Sequence, residues 1–177
     1  GYETLMGFRA DYMASYNLRL FAGMELNRPD IRRRYAMATR FRPMDINLGE
    51  YEFEKRERLL EVEEIVLTNS SLSEEDFFYV RQIAFLVESL WNTGYLRPAL
   101  VLLANHGRSV MGIFDEILSS AKADPAAAEF FAEYCRLAKG ELVESAGVFD
   151  RRIIDDEYWD QLVHGRGVHL KLNLAFA

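Results

Sequence analysis

From Ser71 to His164 the chain reads as a series of helices, because apolar residues recur at helical spacing and each break carries a start or stop signal. Ser73-Glu74-Glu75-Asp76 opens the first: Ser73 can cap free backbone N–H groups, and the three acids sit at the positive end of the helix dipole. The stripe Phe77, Val80, Ala84, Val87 and Trp91 carries that helix to about Asn92, and Gly94 stops it. Pro98 starts a helix that ends at His106-Gly107, and Ser109 to Ser120 forms another with Val110, Ile113, Phe114, Ile117 and Leu118 inward. Asp124-Pro125 pairs a cap with a first-turn proline and opens a helix to about Lys139. A short turn over 141–146 precedes Gly147, and Asp156 to His164 forms the last helix. Gly165-Arg166-Gly167 then breaks the chain, and Val168–Phe176 alternates in a strand-like way.

The first 69 residues read differently. A helix is expected over 3–14, where Leu5, Met6, Phe8, Tyr12 and Met13 make an irregular stripe. Leu18 to Ala22 reads as a short buried strand ending at Gly23, and Pro29 opens a helix to about Met37. Residues 38–58 have no helical period and a dense charge run, so they read as an extended loop with one short strand. Leu60 to Thr68 reads as a strand with one exposed acidic face. The expected fold class is mainly α: a helical domain over 70–177 behind a smaller mixed segment over 1–69.

Charge and cysteine content narrow the function classes. The net charge is −7, yet residues 1–45 hold eight Arg against five acids (+3), so the remainder carries −10. An acidic majority argues against nucleic-acid or anionic-membrane binding, which needs clustered positive charge. Cys135 alone excludes an intrachain disulfide and a thiolate cage, and a reducing, cytoplasmic location is the economical expectation. No apolar run approaches the ~20 residues of a membrane span. A first residue that is Gly1 and not Met is expected of a fragment.

Candidate chemistry is sparse. Arg32-Arg33-Arg34 with Arg28, Arg40 and Arg42 forms the one basic cluster; it can contact phosphate or pair with acids. Consecutive arginines spread around a helix, which favours a solvated or salt-bridged surface. His106, His164 and His169 lack the spacing of a ligand pair, and His106 suits a helix C-terminus. Glu50, Glu52 and Glu54 with Glu61, Glu63 and Glu64 fit a polar strand face better than an acid–base pair. Cys135, between apolar neighbours in a helix, reads as buried and inert. Arg19 alternates outward from Leu18 and Leu20, placed to face a carboxylate.

The order of these elements carries a resemblance. Gly1, Glu3 and Thr4 match a G-x-E-T loop; after a helix and a short strand, Gly23 and Leu26 match a G-T-x-L pattern with Met24-Glu25 between them. Glu63–Asn69, then Ser73–Phe77, Arg81 and Leu86-Val87-Glu88, then Asn92-Thr93-Gly94 and Asn105-His106-Gly107 continue the pattern, over residues 1 to about 120. It resembles the region at and after the end of the barrel in B12-binding radical S-adenosylmethionine proteins. The resemblance implies a barrel remnant followed by a helical C-terminal accessory module that is not catalytic by itself. It also implies a full-length protein with a [4Fe–4S] cluster, S-adenosylmethionine and cobalamin, and a partnership with the rest of its own polypeptide or with a second copy. The cluster-binding cysteines lie outside this chain. The cofactor-contact candidates are Thr4, Arg19 and Gly23, with no catalytic residue and no metal ligand assigned. The competing expectation is a freestanding helical interaction module. On the barrel reading, the strand at 18–22 should pair with 60–68, pair across a dimer, or change conformation.

Overall fold

A computed structural model describes residues 1–52 and 55–164. The fold is mainly helical with a small sheet: α1 (Tyr2–Gly7), α2 (Pro29–Arg34), β1 (Ala38–Glu52), β2 (Arg56–Thr68), α3 (Glu74–Leu86), α4 (Arg97–Asn105), α5 (Val110–Ala121), α6 (Pro125–Gly140), α7 (Gly147–Arg152) and α8 (Asp156–His164). Two compact units share these elements. Among the described residues, one combines Gly1–Tyr16 with Phe78–Arg136, and the other combines Asn17–Phe77 with 137–164. Neither is contiguous in sequence, and α3 and α6 each contribute residues to both.

In the first unit the helices start and stop where the sequence signals lie. Ser109 caps α5 by accepting the Gly112 N–H at 2.9 Å, and Asp124 accepts the Ala127 N–H at the start of α6. Gly94 and Gly107 take left-handed backbone (φ 81° and 82°) where the chain must turn out of a helix. The core is aromatic: Phe85 lies 5.3 Å from Tyr134 and 5.6 Å from Phe130, and the buried Tyr134 hydroxyl donates to the Arg81 carbonyl at 3.0 Å. That bond satisfies the one polar atom of an otherwise apolar ring. Glu3 of α1 accepts the Met111 N–H and the Ser109 hydroxyl at the start of α5.

One expectation fails here. The helix over 3–14 stops at Gly7, and Arg9 takes positive φ (55°). Side chains take the place of helical backbone bonding beyond it. Trp91 Nε1 donates to the Ala10 carbonyl at 2.8 Å, and the Asn92 amide both accepts from the Met13 N–H and donates to the Met13 carbonyl. The long helix does run to Asn92 as expected, but it leaves α geometry after Leu86, and its last stretch, Val87–Asn92, is π-helical.

In the second unit β1 and β2 form an antiparallel hairpin, with Arg40 opposite Ile65, Arg42 opposite Glu63 and Glu50 opposite Arg58. Pro43 pairs with Val62 and Leu48 with Leu60, so the ladder is irregular between them, where proline removes a donor. The loop expected over 38–58 is therefore mostly strand. Its dense charges, which suggested solvated coil, are cross-strand partners: Arg56 and Arg58 donate to the two oxygens of Glu50. The strand expected over 18–22 shrinks to a bridge between Arg19 and Ile65, flanked by Leu20 N–H to Glu64 carbonyl and Val66 N–H to Leu18 carbonyl, both 2.9 Å. Pairing with 60–68 is thus the outcome, though Leu18 and Phe21 stay largely exposed and only Leu20 is buried. Phe41 and Val143 exchange both backbone hydrogen bonds across β1.

One apolar face of the hairpin is covered by the chain after α6: Leu60 joins Val143, Phe149, Ile153, Trp159 and Leu162 in a buried cluster. Gly147, expected to follow a short turn, begins α7, a helix the sequence reading did not foresee, which supplies Phe149 to that cluster. The strand-like run expected at 168–176 lies outside the described residues.

Candidate functional site

The three cofactor-contact candidates fall in different surroundings. Thr4 is an exposed residue of α1, in the first unit. Arg19 and Gly23 belong to the second unit. Gly23 has φ 84°, with no atom near the place a Cβ would take, so backbone conformation alone asks for glycine there. Arg19 does face a carboxylate, that of Glu63, with Nε 2.6 Å from Oε2.

Glu63 is the centre of the most organised polar group in the fold. It is 3% exposed, against the expectation of an outward acidic face on β2. Its second oxygen lies 3.0 Å from Arg42 Nε, and Arg42 reaches on to Glu141 at 3.5 Å. Glu63 thus ties the chain around Arg19 to strand β1, and Arg42 extends the link to Glu141 just after α6. Beside it, Arg32 of α2 grips Glu64 with two nitrogens, at 2.6 and 3.3 Å, while Thr39 accepts from Arg32 and donates to Glu64. The arginines expected to be salt-bridged are so at Arg28, Arg32 and Arg42. The sequence held a signal for Glu63: it lies on the same strand face as Ile65 and Leu67, both buried.

At the other end of the hairpin a cleft of about 570 Å³ runs past Leu48, Glu50, Arg58, Trp159 and His164. Its side chains are engaged with one another. Arg58 stacks over Trp159 at 5.2 Å, donates to the carbonyls of Ile153 and Ile154 beyond α7, and contacts Glu50 and Asp156. The Arg56 and Arg58 guanidiniums hold the Glu50 carboxyl below its ordinary range. Among the described residues no group of three or more His, Cys, Asp and Glu is placed to hold a metal ion. Cys135, expected to be buried, is half-buried in α6, and His106 sits at the C-cap of α4 as expected.

In the first unit the π-helical turn carries Glu88 and Asn92, and Asn92 holds the backbone of Met13 in the amino-terminal segment. Asn92 Nδ2 donates to Glu88 Oε2 at 2.7 Å. Burial, more than the nearby Glu88 charge, pushes the Tyr2 phenol up, against a hydrogen bond from Ser15; Glu88 is the main cause that raises Tyr12. The sequence signal for this group was only the i, i+4 spacing of Glu88 and Asn92.

Compared with known families and with curated proteins, the chain matches no family model and no curated protein. No helix among the described residues is long and apolar enough to cross a membrane.

Proposed function

We propose that this chain is the C-terminal accessory region of a cytoplasmic radical S-adenosylmethionine enzyme of the cobalamin-binding subclass, structural and not catalytic by itself. The support is the residue pattern over 1–120 together with one structural observation. The segment the pattern assigns to the end of the barrel buries Leu20 but leaves Leu18 43% and Phe21 46% exposed, an apolar edge suited to further strands. The residues present do not themselves fit the cofactors of such an enzyme. One thiol cannot hold a cluster that needs three, and the Arg19 guanidinium is committed to Glu63. Those groups would be held by the remainder of the polypeptide. Reading the coding sequence upstream of Gly1 tests the proposal: a C-x-x-x-C-x-x-C motif is expected, and its absence refutes the assignment.

A second reading is a freestanding helical interaction module. The observation that favours it is the exposure of large aromatic side chains in the first unit, Phe8, Tyr12, Tyr16 and Tyr95 among them. A native start codon at or just before Gly1, with a partner retained by the purified chain, would select it over the accessory region.

A further inference from the structure

We draw no further inference here: the strongest candidate, the apolar surface patch on the outer side of α4 where Leu96, Leu102 and Leu103 stand exposed, carries nothing because nothing in the structure shows what covers it.

Discussion

Glu63 and Arg42 face each other across the hairpin, 3.0 Å apart, with Glu63 almost wholly buried and Arg19 closing on its other oxygen. Removing one member of a buried pair leaves the other charge without compensation, which costs far more than the net worth of the pair. Glu63→Ala should therefore lower unfolding free energy by about 3 kcal/mol or more. Arg19→Ala, at a site 31% exposed, should cost only about 1 kcal/mol. Urea denaturation of the two variants checks the ranking; equal losses would mean that Glu63 is better hydrated than its burial implies.

Asn92 spends its amide on both backbone groups of Met13. Asn92→Ala leaves those groups without a protein partner, at a cost of about 1–3 kcal/mol. The loss should be local: limited proteolysis is expected to accelerate between Ala10 and Tyr16 more than elsewhere. Uniform acceleration along the chain would contradict a clamp confined to that segment.

Ser73 caps α3 through its hydroxyl, which accepts the Asp76 N–H at 3.0 Å and donates to the Asp76 carboxylate at 2.7 Å. Ser73→Ala should destabilise by about 1 kcal/mol. The hydroxyl and the Ser73 N–H also hold Asp76 below its ordinary carboxylate range. That contribution is present above the unfolded carboxyl's pKa and is lost as pH falls through the folded one. Stability measured from neutral to acid pH should fall less in Ser73→Ala than in the parent.

Tyr79 donates its hydroxyl to Asp115, which pushes its phenol from 10.0 up to about 12. A raised phenol favours the folded state fully below the unfolded pKa, and that support fades as pH rises through the folded value. An ultraviolet titration should show a latest-ionising component that is lost in Tyr79→Phe and moves earlier in Asp115→Asn, with the milder upward shifts of the other tyrosines unaffected. A titration without a late component would exclude the bond in solution.

Gly23 tests what its turn is for. With open space around it, Gly23→Ala meets only the backbone penalty of positive φ, about 1 kcal/mol, and Gly23→Asn should recover part of it. If stability follows this order, conformation explains the glycine; a larger loss would mean that something approaches the backbone there.

The helices α4, α5 and α6 were legible because Pro98, Gly107, Ser109 and Asp124-Pro125 act locally, and nothing distant overrides them. The hairpin was illegible for the opposite reason. Its charge run looks solvated until Glu50 meets Arg56 and Arg58 from the other strand; the three lie close in sequence, but only the turn between the strands sets them opposite one another. The same holds at the amino terminus, where the irregular stripe of residues 3–14 suggested helix and Asn92, 79 positions from Met13, decided otherwise. Arg19 was correctly turned toward a carboxylate, but which one, and that it would be buried, depended on a strand far along the chain. At the π-helical turn, only the Glu88–Asn92 spacing could be seen in advance.

The burial of Leu60 against Phe149, Trp159 and Leu162 also sets an order of events during synthesis. The ribosome releases the hairpin well before it makes the two helices that cover it. Until then a long ribbon with an apolar face and open edges is available to any neighbouring strand, the situation in which nascent chains aggregate or are held by chaperones. Helices made later are the ones that render the earlier strands safe.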